Sequence, residues 1–179
     1  MRGRVTHIGL ATDIDAPVDV CFDLCLNVDV QLSLDPGMRT DGGVRGGPLA
    51  LGDSVTWRAR HFGIPWRMTS RIITVDRPRC FADQIQRGPF AHWRHVHTFE
   101  DIGSGTRMHD AVDYDAPLGP IGRLFDAALL ERYLTRLLNS RNRRFKILAE
   151  STWQGKGAGM PPQVSDAESS GPAADQSRT

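Results

Sequence analysis

Apolar and polar positions alternate along most of the chain from residue 5 to residue 115, which is the pattern of half-buried β-strands. Turn signals interrupt the alternation at Gly63-Ile-Pro65, at Asp76-Arg-Pro78 and at Gly88-Pro89. The pattern predicts strands over residues 5–14, 38–44, 53–62, 65–75, 80–87, 91–100 and 106–115.

The apolar period changes to that of helices in three places. Asp15-Ala16-Pro17 predicts the start of a helix that runs to about Val28, and a short second helical turn covers Asp29 to Asp35. Pro120 opens a predicted helix of about 28 residues, hence ~42 Å long. Its predicted apolar stripe comprises Ile121, Leu124, Phe125, Ala128, Leu129, Leu137, Leu138, Phe145 and Leu148. A single amphipathic helix of this length needs a broad sheet to cover its apolar face.

The amino-acid composition changes near residue 153, which predicts a domain boundary there. Residues 1–152 are predicted to form one domain, and residues 153–179, rich in Gly, Pro, Ser and Ala, are predicted to be a disordered tail because they cannot bury enough apolar area to fold. The hydrophobic content of 40% and the charged content of 24% are ordinary for a globular protein.

Charge and cysteine usage narrow the expected partners. The net charge of +1 gives no bulk attraction to nucleic acid. No apolar run is long enough for a membrane span, and the N-terminus lacks the apolar core of a secretory signal. Three cysteines, an odd number without a Cys-x-x-Cys pair, favour a reducing, cytoplasmic setting over a disulfide framework. The oligomeric state stays open.

Strand alternation allows the inner face of the sheet to be chosen by apolar content, and ionisable groups come with it. Asp83 lies on the same face as Phe81 and Ile85. His95 and His97 lie on the same face as Trp93 and Phe99. The complete predicted inner set is Val55, Trp57, Ala59 and His61; Trp66, Met68, Ser70 and Ile72; Phe81, Asp83 and Ile85; Trp93, His95, His97 and Phe99; Met108, Asp110, Val112 and Tyr114. A filler core would exclude these charges unless they were paired, so the pattern indicates a pocket lining.

The order of elements resembles that of the START-like helix-grip (SRPBCC) superfamily, and its bacterial polyketide cyclase/dehydrase-like ligand-binding branch in particular. The phrases that carry the resemblance are Phe81-x-Asp-Gln, Gly88-Pro-Phe, Trp93-x-His-x-His-x-Phe99, Asp110-x-Val-x-Tyr114 and Pro117-x-Gly-Pro-x-Gly122. The resemblance covers about residues 5 to 150. It implies an α+β fold in which a curved antiparallel sheet wraps around a long C-terminal helix, with two short helices after the first strand.

The resemblance also implies a function class. We expect an internal cavity that binds a hydrophobic or aromatic small molecule such as a polyketide, lipid or isoprenoid, without a cofactor. Whether the protein is a cyclase or dehydratase, or a non-catalytic carrier or sensor, stays open because one fold of this type hosts both. The glycine-rich segment 37–52 and the corner at 115–122 are expected to be the rims through which a ligand passes.

The candidate catalytic residues are His95, Asp83 and Asp110. The hairpin at Gly88-Pro89 predicts that Asp83 lies opposite His95, and the apolar pattern places Asp110 beside His95, although a one-residue slip of the last strand would turn Asp110 outward. Two neighbouring carboxylates would favour the protonated imidazole, which could orient or exchange a proton with a substrate carbonyl.

Two other interpretations of this cluster stay open. A buried histidine with acidic partners is often a structural network that fixes strand register. His95-x-His97 with Asp83 and Asp110 also has the donors of a metal site, but this spacing is common by chance, so the sequence predicts no metal.

Aromatic and long apolar side chains of the inner set form the predicted ligand wall. The predicted ligand-binding residues are Trp57, Trp66, Met68, Phe81, Trp93, His97, Phe99, Val112, Tyr114 and Phe125. An ordinary core would use the same residue types, so position along each strand decides between the two roles.

The outer face of the sheet is predicted to be basic, with Arg58, Arg60, Arg67, Arg71, Arg94 and Arg107. A solvated convex surface is the simpler interpretation, while docking of RNA or a protein on this face is the alternative. Cys21 and Cys25 lie one helical turn apart and are expected to pack as small apolar residues.

Overall fold

The computed structural model describes residues 5–117 and 127–157. Every strand and helix predicted within these ranges is present. The elements are β1 (Thr6–Ile14), α1 (Val18–Cys25), α2 (Val28–Leu34), β2 (Arg39–Gly43), β3 (Ser54–His61), β4 (Ile64–Asp76), β5 (Cys80–Arg87), β6 (Phe90–Asp101), β7 (Thr106–Pro117) and α3 (Ala127–Gly157).

The strands form one antiparallel sheet in the order β1-β7-β6-β5-β4-β3-β2. The helix-grip prediction is confirmed: the sheet is continuous, its first strand pairs with its last, and the C-terminal helix packs on it through β1. The predicted pairing of Asp83 opposite His95 is confirmed as well. Asp110 lies directly opposite His97 rather than His95, and it faces inward as expected.

Alternation along the strands separates the two faces as predicted. The arginines of β3 and β4 lie outward, where Arg58 and Arg67 both contact the carboxylate of Asp41. Arg107 on β7 forms a two-pronged ion pair with Asp13 on the neighbouring β1. The convex face therefore carries guanidinium groups that are partly neutralised by nearby aspartates.

Two helix details differ from the sequence prediction. Pro17, not Asp15, is the N-cap of α1, and the backbone N–H of Asp15 instead donates to the carboxylate of Glu150. On α3 the predicted stripe is out of phase in its first part, because Leu129 is 52% exposed while Leu130 and Leu134 are buried. Contact with the sheet sets that phase, and a run of adjacent leucines does not reveal it.

The C-terminal boundary also differs. α3 continues to Gly157, so residues 153–157, which composition assigns to the tail, are helical. The remainder of the predicted tail lies outside the described residues. Within the described part of the chain, no helix combines the length and apolar character needed to cross a membrane.

The core divides into two apolar clusters with a polar layer between them. One cluster joins α1 to the sheet through residues such as Phe22, Phe81 and Phe99, and the other gathers Trp93, Tyr114 and the start of α3. The buried polar side chains of His95, His97, Asp110 and Asn142 fall between these clusters in sequence on β6, β7 and α3. This arrangement places buried polar groups in the middle of the hydrophobic interior.

Candidate functional site

A cavity of about 160 Å³ lies between the concave face of the sheet and α3. Its walls come from β3, β4, β5 and β6, from α3, and from the segment that joins α1 to β3. An apolar cavity of about 150 Å³ takes a benzene-sized molecule. The space under the sheet therefore suffices for a small ring system.

Most of the predicted ligand wall lines this cavity. The residues in question are Trp57, Trp66, Met68, Phe81, Trp93 and His97. Of the predicted catalytic residues, His95 and Asp83 line the same space. The inner-face pattern of β3 to β6 thus converges on one cavity, as the alternation predicts.

Three predicted ligand residues lie elsewhere. Phe99 packs edge-on against Phe22 of α1, with ring centroids 5.6 Å apart, and Val112 and Tyr114 are buried on β7. None of the three lines the cavity. The reason is that α3 and α1 fill the space over β1, β7 and the far end of β6, so the open volume lies over β3 to β6. Phe125 falls outside the described residues.

Asp110 anchors the polar layer with both of its carboxylate oxygens. Its Oδ1 lies 3.1 Å from Nε2 of His95 and 2.5 Å from Nδ1 of His97. Its Oδ2 accepts a hydrogen bond from the side-chain amide of Asn142 on α3. Asp110 is 2% exposed, so this carboxylate is a saturated buried acceptor rather than a group open to a ligand.

The charge states follow from these contacts. Burial raises the pKa of Asp110, but His97 and His95 outweigh it and hold the pKa well below its usual range. For His95, burial and the adjacent His97 lower the pKa, and they prevail over the nearby carboxylates. The carboxylates favour a protonated His95, as expected, but burial disfavours the cation more strongly, so the neutral form prevails.

An ionised Asp110 fixes which ring nitrogens of the two histidines carry protons. A carboxylate only accepts, so His95 carries a proton on Nε2 and His97 carries one on Nδ1. Neutral His95 keeps a lone pair on Nδ1, and neither that atom nor Nε2 of His97 bonds to another residue that the structure describes. His97 is further held by stacking on Phe81, with centroids 4.5 Å apart.

Asp83 approaches the histidine pair from β5, on the cavity side. It is half-buried and faces His95 directly across the strand pair. One ligand atom from each of Asp83, His95 and His97 lies within 4.8 Å of the other two. In residues 5–117 and 127–157, no side chain forms a hydrogen bond or ion pair with the Asp83 carboxylate.

Cys25 also touches this region but behaves as expected for a packed thiol. Its Sγ lies 3.8 Å from Nδ1 of His97. The same nitrogen faces Asp110, whereas a nucleophile–base–acid relay uses opposite ring nitrogens. Burial raises the pKa of Cys25 far above its usual value, which keeps it a neutral thiol.

A second polar pair lines the cavity near the β3–β4 hairpin. Nδ1 of His61 lies 2.7 Å from the hydroxyl of Tyr133 on α3, and His61 also packs edge-on against Trp66. Burial lowers the pKa of His61, which favours its neutral form. This pair ties the hairpin to the helix at the end of the cavity away from Asp83.

Comparison with known proteins supplies the family. The sequence model described as "Polyketide cyclase / dehydrase and lipid transport" matches residues 6–150, which is most of the chain. The protein belongs to this family. No curated protein matches the sequence.

Solved structures with the same fold come from several sources. The structure of Ara h 8.0201 is 12% identical, with a TM-score of 0.63 over 83% of this chain and 99% of the other. TTHA0849 from Thermus thermophilus is 17% identical, with a TM-score of 0.59 over 78% and 97%. Ginseng major latex-like protein 151 from Panax ginseng is 15% identical, with a TM-score of 0.57 over 79% and 97%. At these identities the likeness establishes the fold alone.

The strand pattern does not identify several residues of the cavity in this family member. Gln31 on α2 and Arg141 on α3 line the cavity, and the Arg141 guanidinium donates to the side-chain oxygen of Gln31. Asn142 was also missed, although it follows buried Leu138 by four residues and precedes buried Phe145 by three. A polar residue within a buried helical stripe is the signal that identifies it.

The predicted rim contributes as well. Met38 and Leu49, from the glycine-rich segment between α2 and β3, line the cavity, together with Asp53 at the start of β3. The carboxylate of Asp53 accepts the backbone N–H of Ala50, which closes the turn before the strand. The corner at 118–122 lies outside the described residues.

Proposed function

We propose that the protein binds an apolar or aromatic small molecule that carries a hydroxyl group, of the polyketide, lipid or isoprenoid kind. The observation that carries this proposal is the cavity itself, which is walled by tryptophans and aliphatic side chains and has Asp83, His95 and His97 at one end. Apolar walls with a few convergent polar groups are the usual make-up of a ligand site.

The polar end favours a hydrogen-bond donor. The Asp83 carboxylate and the lone pair on Nδ1 of neutral His95 are both acceptors, so a ligand hydroxyl fits there and an ether does not. A hydrogen bond to a charged group contributes about 1.5–3 kcal/mol. The walls contribute by apolar burial, at about 25 cal/mol per Å² removed from water.

The family description supports the proposal from a separate direction. Its members are described by polyketide cyclisation or dehydration and by lipid transport. These activities require an apolar carbon skeleton to be enclosed by the protein. A carrier or sensor function follows if the ligand leaves unchanged.

Calorimetric titration with 2-naphthol and its methyl ether tests the proposal. We expect 2-naphthol to bind about 10-fold or more tightly than 2-methoxynaphthalene, since only the naphthol donates a hydrogen bond. Asp83→Ala should remove most of that difference. Asp53→Ala, which alters another cavity carboxylate, should leave it in place. Equal affinity for the two compounds in the wild-type protein would contradict the role of the polar end.

A cavity-filling pair of variants tests the location. Ala59 lines the cavity on β3, whereas Ala91 is exposed on β6. Ala59→Phe should abolish 2-naphthol binding by occupying the space, and Ala91→Phe should not change it. Wild-type affinity in a folded Ala59→Phe variant would place the ligand elsewhere.

Acid–base catalysis is the second candidate, and the tautomer of His95 favours it. A neutral His95 with its Nδ1 lone pair free can remove a proton alpha to a ketone, and Arg141 on the same cavity wall can donate to the ketone oxygen. Asp110 would hold the imidazole in place and stabilise its cation, as the acidic member of a triad does. Cyclisation and dehydration of a polyketide-like substrate both begin with such a step.

Hydrogen–deuterium exchange of 2-acetonaphthone tests this candidate without knowledge of the natural substrate. The wild-type protein in D₂O should accelerate exchange of the methyl protons adjacent to the carbonyl, as followed by NMR. His95→Gln should lose the acceleration and keep affinity for the ketone. Binding of the ketone by wild-type protein without acceleration would overturn catalysis and leave the carrier function.

A further inference from the structure

The geometry of Asp83, His95 and His97 points to a site for a divalent first-row transition metal, such as Zn²⁺ or Fe²⁺, at the polar end of the cavity. This inference deepens the proposed function, because such an ion would bind the oxygen of the ligand. It goes against the sequence prediction of no metal, which rested on the common spacing of two histidines.

The donor set is the first argument. Two imidazoles and one carboxylate from neighbouring strands are the usual protein ligands of zinc and non-haem iron sites that keep coordination positions open. One donor atom from each residue lies within 4.8 Å of the others. Ligand atoms bonded at about 2.1 Å are at most ~4.2 Å apart, so small adjustments of these three side chains would close the site.

The residues behind the two histidines also fit a metal site. Metal-binding histidines almost always donate their other N–H to a carboxylate or carbonyl, which fixes the ring. The Asp110 carboxylate accepts hydrogen bonds from Nε2 of His95 and Nδ1 of His97, and the side-chain amide of Asn142 also donates to it. Each imidazole is therefore fixed through one ring nitrogen, and the other ring nitrogen, Nδ1 of His95 or Nε2 of His97, has no partner in the described residues.

Asp83 supplies the third observation. Its carboxylate forms no hydrogen bond or ion pair with any side chain in the described part of the chain. A divalent cation between Asp83 and the histidines would give this carboxylate the partner that it lacks there.

The open positions of the ion would face the cavity. Three protein ligands leave room for water or for a ligand oxygen, which the ion polarises as a Lewis acid. A phenol or enol oxygen held in this way would be deprotonated more readily. The cavity walls would keep the rest of the molecule in an apolar setting.

Titration of the full-length, untagged protein with ZnCl₂ after treatment with a chelator tests the site. We expect one Zn²⁺ per chain by calorimetry, and visible absorption bands on replacement by Co²⁺. Asp83→Asn should weaken Zn²⁺ binding more than about 10-fold, and Asp110→Asn should weaken it by about 10–100-fold as an outer-shell partner. His61→Asn and the exposed His109→Asn are the matched histidine controls and should not alter it. Urea unfolding establishes that each variant is folded.

The outcomes separate this inference from the proposed function. No Zn²⁺ or Co²⁺ binding, or binding that Asp83→Asn leaves unchanged, overturns the metal site, while 2-naphthol binding by metal-free protein still supports the cavity function. Metal binding without any 2-naphthol binding overturns the proposed function and leaves the metal site.

Discussion

Two carboxylates lie on opposite sides of the same histidine pair and differ in their burial and in their hydrogen-bonding partners. Asp110, behind the histidines, is buried and bonded through both oxygens to His95, His97 and Asn142. Asp83, on the cavity side, is half-buried and has no partner in the described residues. The sequence presents both as acidic residues on inner strand faces. Asp110 is therefore part of the buried structural network, whereas Asp83 is the carboxylate that we propose binds the ligand.

We expect the greatest loss of stability from substitution of Asp110. Asp110→Ala leaves two buried imidazoles and an amide without their acceptor, and we expect a loss of about 3–5 kcal/mol in the free energy of unfolding. Urea denaturation monitored by circular dichroism measures it. A loss below about 1 kcal/mol would mean that the network does not hold the core together.

We expect a smaller loss of stability from substitution of Asn142, the residue through which α3 contacts Asp110. Asn142→Ala removes the amide that bonds Asp110, at a cost of about 1–3 kcal/mol for an acceptor left unsatisfied. Asn139→Ala is the control, because Asn139 lies on the exposed side of the same helix. Equal effects from the two variants would show that the contact with Asp110 carries no stability.

The free energy of unfolding should also depend on pH, because several buried groups change protonation when the chain unfolds. Burial lowers the folded-state pKa of His95 below 6.5, so the unfolded chain takes up its proton first as the pH falls. The stability from neutral His95 is complete above that pH and is lost as the pH falls toward the folded-state pKa. His61 acts in the same direction because burial lowers its pKa as well. Asp110 adds a loss at still lower pH, below 3.8, as the pH falls through its folded-state pKa.

We therefore expect unfolding free energies measured between pH 7.5 and 5.5 to decline on acidification. The decline should be shallower in His95→Gln, and His61→Asn should remove a separate share. An unchanged slope in His95→Gln would contradict a neutral, buried His95 in the native protein.

The smallest effect on stability is expected at Asp83. A half-buried carboxylate without a partner contributes little, so Asp83→Asn should change the free energy of unfolding by no more than about 0.5 kcal/mol. Ligand and metal titrations should nevertheless reveal the substitution. A large loss of stability would identify an unrecognised structural partner of Asp83 and place it in the same class as Asp110.

Strand alternation was sufficient to predict the sheet and its inner face, because a period of two assigns each side chain to one side. The hairpin at Gly88-Pro89 also determined the pairing of Asp83 with His95. The register of β7 was harder, since the turn before it is longer, and Asp110 pairs with His97 instead. The effect of the carboxylates on His95 was predicted with the right sign, but burial outweighs it, and a linear pattern does not encode the depth of burial.

The helix side of the cavity was the least predictable part. Which turn of α3 faces the sheet depends on three-dimensional packing, so Leu130, Leu134 and Asn142 were missed and the exposed Leu129 was chosen. Similarly, Val112 and Tyr114 have the residue types of a ligand wall but lie where α3 packs against the sheet edge. Composition cannot distinguish a filled part of the interior from an open one.

If a ligand lies under the sheet with its hydroxyl at Asp83 and His95, 2-naphthol should show intermolecular NOEs to the residues that line the cavity. We expect cross-peaks from the naphthol ring to the side chains of Met68 and Val55. The ring protons beside the hydroxyl should contact His95. Cross-peaks confined to exposed side chains such as Leu51 and Ile147, with none to Met68 or Val55, would contradict it.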